Sequence, residues 1–127
     1  MRIQEAIERA NEMRQGNASS DEAKVRWLDE LDKMIYNDVI TRHEGNENVQ
    51  RPEYSADNTD VELLAQGPYD VLYVYYLMAQ IDLAASEINK YNASVQLYNS
   101  AMHSFKCEYR RTHKTKKTRP IRVGGMV

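Results

Sequence analysis

The residues most able to do chemistry in this 127-residue chain are its single cysteine and a nearby histidine. His103 and Cys107 stand four apart, a spacing that puts two side chains on one helix face. A thiol beside an imidazole can act as an activated nucleophile, and the same two groups can supply half of a zinc site. Neither set is complete. No further ligand stands nearby, and no Asn or Asp is placed to orient the imidazole. Phe105 and Tyr109 flank the pair, which predicts a small buried thiol beside a core.

The other candidates carry less. His43 falls at the end of a predicted helix, where a partly charged imidazole complements the helix dipole. Carboxylates are plentiful but have basic neighbours, as at Asp29 and Lys33, and none marks a general acid–base pair. Gly124-Gly125 lacks the glycines, lysine and following helix of a phosphate loop. Asn17-Ala18-Ser19 and Asn92-Ala93-Ser94 match the glycosylation sequon, which has meaning only in a secreted chain. The sequence therefore predicts no enzyme: no catalytic residue, no metal ligand and no cofactor.

Tyr69, Tyr73 and Tyr76 fall on one helix face, with Tyr75 elsewhere. Stacking on nucleic acid wants aromatics interleaved with Arg or Lys, yet residues 69–89 contain neither. These rings read as core or as protein–protein contact.

Charge is divided unevenly. Residues 110–127 hold Arg110, Arg111, Lys114, Lys116, Lys117, Arg119 and Arg122 and no acid, a charge of +7. The remainder holds 10 basic and 19 acidic side chains, a charge of −9. A basic end of this kind attracts phosphate without reading sequence, or an acidic patch on a protein. One cysteine permits no internal disulfide, which predicts a reducing setting. The first residues do not read as a signal peptide. The longest apolar run, Val71 to Ala79, is far short of the roughly 20 residues that span a bilayer, so no membrane association is expected.

The elements follow from spacing. Ile3, Ala6, Ile7, Ala10 and Met13 predict a first helix over 2–15, stopped by Gly16-Asn17. Ser19 with Glu22 fits a capping box, with Ser20 a competing cap, and a second helix runs to about His43. Trp27, Leu28, Leu31, Met34, Ile35 and Val39 form its apolar stripe, and Asp29, Asp32, Lys33 and Asn37 its wet face. Residues 44–66 are polar and predict a long loop, with a short extended segment from Val49 to Tyr54 around Pro52. Pro68 suits the first position of the next helix.

From there a seam runs through Val74, Leu77, Ile81, Ala84, Ile88, Tyr91, Val95, Tyr98, Met102, Phe105 and Tyr109 in steps of three and four. A single helix over that span would be roughly 65 Å long, out of scale with so small a domain. Two helices over 68–89 and 92–112, broken between Ile88 and Asn92, are expected, with the single helix as the alternative. The apolar run at Val71–Ala79 is either central in its domain or covered by another chain. The fold predicted is all-α: a small four-helix bundle-like domain over 1–113, with a long loop between helices 2 and 3, and a basic flexible tail over 114–127.

The order Val61-Glu-Leu-Leu64, Pro68-Tyr-Asp70, Leu72-Tyr73, Tyr76-Leu77, Ala79, Ile81-Asp82, Glu87, Lys90-Tyr91-Asn92, Tyr98-Asn99 and Arg110-Arg111-Thr112-His113 resembles a known group. These are the head–tail connector (neck or adaptor) proteins of tailed bacteriophages and of prophages of Gram-positive bacteria. The likeness covers residues 20–113. It implies a structural, non-enzymatic subunit that forms a homo-oligomeric ring between portal and tail around the DNA channel. Its partners would be portal, tail and other neck proteins, with non-specific DNA contact. Its place would be the virion, after the host cytoplasm. The alternative function is a small nucleic-acid-binding protein that uses the basic C-terminal residues.

Overall fold

A computed structural model describes residues 1–43, 51 and 53–113. The predicted tail over 114–127, and Val49 and Pro52 of the predicted extended segment, lie outside the described residues. The fold is all-α. Among the described residues there are four α-helices, α1 (Ile3–Met13), α2 (Asp21–Asp38), α3 (Val71–Ala84) and α4 (Ile88–Thr112), with a short 3₁₀ turn at Ile40–Arg42.

In α1 the spaced Ile3, Ala6, Ile7 and Ala10 are all buried. Glu5 turns back to accept the Arg2 N–H at 3.3 Å, and the chain leaves the helix through Gly16, whose φ is +74°. A glycine tolerates that left-handed turn without a Cβ clash. Helix α2 starts one residue later than the first candidate cap allows. Ser20, not Ser19, caps it, accepting the Ala23 N–H at 3.1 Å. It ends at Asp38 rather than near His43, because the chain tightens into the 3₁₀ turn. Its core stripe is Val25, Leu28, Leu31 and Ile35, with Trp27 half-buried against it.

Pro68 does not open α3. The Gly67–Pro68 peptide is cis and belongs to a turn, and the helix begins at Val71. Helix α3 packs against α1, α2 and α4 and is thus central in its own domain. Leu72, Tyr73, Val74, Leu77, Met78, Ala79 and Ile81 are buried. The all-round apolar run is explained by these neighbours.

One long helix is not formed. The break lies at 85–87 rather than between Ile88 and Asn92. Ala85 N–H bonds Ile81 O, Ser86 N–H bonds Leu83 O at 3.1 Å, and Glu87 N–H bonds Asp82 O at 2.9 Å. This is a Schellman ending, with Ser86 in the left-handed conformation at φ +58°. Asn92 lies inside α4 and caps nothing. The seam is interrupted at the turn, where Ala84 is exposed and Ile88 is 55% exposed. It resumes in α4 with Tyr91, Val95 and Tyr98 half-buried and Met102 and Phe105 buried.

The segment before α3 is held against the start of α1. Ile3 N–H bonds Val61 O at 3.0 Å, Gln4 N–H bonds Thr59 O at 2.9 Å, and Leu63 N–H bonds Met1 O at 2.9 Å. Leu63 and Ala65 are buried.

Candidate functional site

The most built polar clusters in the molecule surround two buried aspartates, and neither was anticipated. Asp82 interrupts the apolar α3 and is 1% exposed. Arg14, just past α1, grips it with both ends of its fork. Its Nε donates to Oδ1 at 2.7 Å and its Nη2 to Oδ2 at 3.0 Å. Ser94 of α4 donates to Oδ2 at 2.8 Å and accepts from Arg14 Nη2 at 3.2 Å. Burial alone would push this carboxyl up, but the Arg14 and Ser94 bonds and the Arg14 and Lys90 charges outweigh it and hold it below its ordinary value. Three helices are thereby tied at one point.

Asp32 was expected on the wet face of α2, yet it is 0% exposed. It faces the segment that precedes α3. Tyr73 donates to Oδ1 at 2.6 Å, Leu64 N–H donates to Oδ2 at 3.0 Å, and the Tyr54 hydroxyl donates to Oδ2 as well. The Tyr73 hydroxyl also accepts the Ala65 N–H at 2.6 Å. No cation touches Asp32 among the described residues. Burial therefore dominates and its carboxyl is raised, although the three donors and the more distant Arg51 charge oppose the rise. Burial and the Asp32 charge push the phenols of Tyr54 and Tyr73 upward, so both stay protonated donors. Asp29 secures the same segment by pairing with Arg51 and accepting the Tyr54 N–H at 3.2 Å.

A smaller cluster closes the α1–α2 corner. Lys24 is 2% exposed, and its Nζ donates to Asn11 Oδ1 at 2.7 Å. The three buried charges Lys24, Asp32 and Asp82 among the described residues each carried a signal in the sequence. Asp82 is the only charged residue within α3, and Lys24 and Asp32 share the stripe of Leu28, Leu31 and Ile35.

The residues singled out for chemistry fare differently. Cys107 Sγ and His103 Nε2 are 3.5 Å apart, and Arg110 Nη2 lies 3.6 Å from the sulfur. Both residues are exposed, so the expectation of a buried thiol fails: the pair lies on the side of α4 away from Phe105 and Met102. No group of three His, Cys, Asp or Glu side chains suited to a metal occurs among the described residues. His43 is 3% exposed and not a solvated helix end. Its Nδ1 faces the Val39 carbonyl at 2.6 Å and so carries the proton, while its Nε2 is buried without a partner. The ring meets Tyr109 edge-on at 4.7 Å, and Tyr109 stacks on His113 at 3.8 Å. Of the tyrosines, Tyr73 is fully buried, and Tyr76 tilts against Tyr98 at 5.2 Å.

These arrangements hold a scaffold. Asp32 is closed to any substrate, and Asp82 is neutralised by Arg14. No helix of the described residues is long and apolar enough to cross a membrane. The chain matches no family model, no curated protein and no solved structure.

Proposed function

We propose that this chain is a structural ring subunit of a phage or prophage head–tail connector, lying between portal and tail around the DNA channel. The observation that carries the reading is where the residues of the resemblance spend their bonds. Tyr73 joins Asp32 to the segment before α3, Asp82 joins α1 to α4, and Tyr76 packs on Tyr98. These bonds close one scaffold, which suits a subunit whose work is shape.

In this reading the chain is a four-helix bundle-like unit with a long connection between α2 and α3. The apolar run Val71–Ala79 of α3 is covered within its own domain, so contacts between copies fall outside that run. Met13, Leu83 and Ile88, which are 56%, 47% and 55% exposed, supply apolar area close to the α3–α4 turn. The basic residues from 114 onward meet the acidic body of a neighbour, where opposite charges set orientation. The second reading is a small nucleic-acid-binding protein, supported by the same division of charge.

The test is electron microscopy of the purified protein mixed with portal rings from the same genome. The expected result is an added ring of density on the portal. A protein that stays monomeric beside the portal, and binds DNA at physiological salt, would replace the first reading with the second.

A further inference from the structure

Many charged side chains among the described residues have an opposite charge at hand. Arg14 has Asp82, Arg26 has Glu30, Arg51 has Asp29, Lys90 has Glu87 and Arg111 has Glu108. Among the described residues Arg9 and Lys33 stand singly without an ion pair, and one place gathers three such cations. A pocket of 260 Å³ lies between the end of α2 with its 3₁₀ turn and the last turns of α4. It is lined by Asp38, Val39, Arg42, His43, Lys106 and Arg110. Arg42 and Arg110 are exposed and Lys106 is half-buried. None of these three cations forms an ion pair within 4.0 Å among the described residues, Asp38 included.

We propose that this pocket binds a phosphate group. Three like charges brought to one recess by two separate elements repel each other, and an anion placed among them removes that cost. With Asp38 in its lining, the pocket offers three positive charges against one negative. A carboxylate brings one charge and accepts in a single plane. A phosphate brings up to two and accepts in several directions, so donors converging from the 3₁₀ turn and from α4 can all reach it. The contacts come from the three cations, since His43 Nε2 is closed to solvent.

The phosphate has two possible sources: inorganic phosphate, or the backbone of a nucleic acid. The site is on the folded body, and the proposal stands whether or not the chain is a connector subunit.

The experiment is titration of the full chain, followed by site-resolved NMR shifts, with inorganic phosphate, with duplex DNA of arbitrary sequence, and with poly-glutamate. The variants are Arg42→Gln, Arg110→Gln, and both together with Lys106→Gln. Arg9→Gln on α1 and Lys90→Gln at the start of α4, both exposed and outside the pocket lining, are controls. The expected result is saturable shifts at residues 38–43 and 106–110 with phosphate, weakened at least tenfold in the triple variant and unchanged in the controls. If the triple variant does not fold, the two single variants carry the same comparison. Binding of phosphate but not DNA at these residues assigns the free anion. DNA binding whose salt dependence falls by about one unit per removed contact assigns the backbone. Absence of saturable shifts there, equal losses in the controls, or tighter binding of poly-glutamate than of phosphate and DNA would each overturn the proposal.

Discussion

Asp32 and Asp82 are both sealed from water, and the fold keeps them in opposite ways. Asp82 is given a full counter-charge, a two-pronged guanidinium with a serine beside it. Asp32 is given only neutral donors, two phenols and a backbone N–H. Burial is therefore overcome at Asp82, whose acidity rises, and prevails at Asp32, whose acidity falls. A buried carboxylate is thus not one kind of structural element. What matters is whether a charge or only a set of dipoles replaces the lost water.

The largest way to break this contrast is Asp82→Asn. It leaves the partly buried Arg14 without its partner, and a loss of about 3 kcal/mol is expected in urea unfolding. Adding Arg14→Met should recover part of that loss. A single variant within about 1 kcal/mol of the parent would show that the ion pair does not hold the helices together. Tyr73→Phe comes next, at about 2 kcal/mol, because it takes a donor from Asp32 and orphans the buried Ala65 N–H. Asp32→Asn should cost about 1 kcal/mol near neutral pH, less than Asp82→Asn, since the charge it removes is one that burial penalises. Equal costs for the two aspartates would erase the distinction.

The smallest effect is in pH dependence, and it sharpens the contrast because the signs differ. The folded carboxyl of Asp82 sits below its ordinary 3.8, so its stabilisation is present above 3.8 and is lost as pH falls below it. The folded carboxyl of Asp32 sits above 3.8, so its contribution is greatest in acid and declines as pH rises past 3.8 through the raised value. Unfolding midpoints measured from pH 3 to 7 should show Asp82→Asn flattening the acid-side loss. Relative to the parent, Asp32→Asn should gain stability as pH rises over the same range. Slopes of the same sign in both variants would contradict the structure.

Local rules carried the reading of the sequence as far as they apply. The three-and-four spacing of Ile3, Ala6, Ile7 and Ala10 gave α1, and that of Leu28, Leu31 and Ile35 gave α2. The need for a break near the middle of the C-terminal half was legible from length alone, but its place was not. A glycine would have announced the left-handed residue at 86, whereas serine gives no such sign. Asn92, where the helix after the break was expected to start, is a better capping residue than Glu87, which the chain uses. Pro68 obeyed the preference for a first helical position in composition only, since its peptide belongs to a turn. The buried networks depend on partners far apart in sequence. Arg14 with Asp82, or Asp32 with Tyr73, cannot be paired by spacing. Their one local trace was a charge standing in an apolar stripe, which Lys24, Asp32 and Asp82 all show.

The Arg14–Asp82 bond spans 68 residues of chain, while α3 and α4 are joined by three, 85–87. That difference has a kinetic consequence. A short connection closes at little entropic cost, so the α3–α4 hairpin can assemble early, whereas α1 must wait for a much larger loop to close. The bond is then absent from the folding transition state, and its loss acts on the return path. Asp82→Asn should accelerate unfolding while leaving the folding rate nearly unchanged, so stopped-flow chevrons would differ in the unfolding limb alone. The guanidinium at the end of α1 acts as a late latch: it sets how long the native state lasts more than how quickly it is reached.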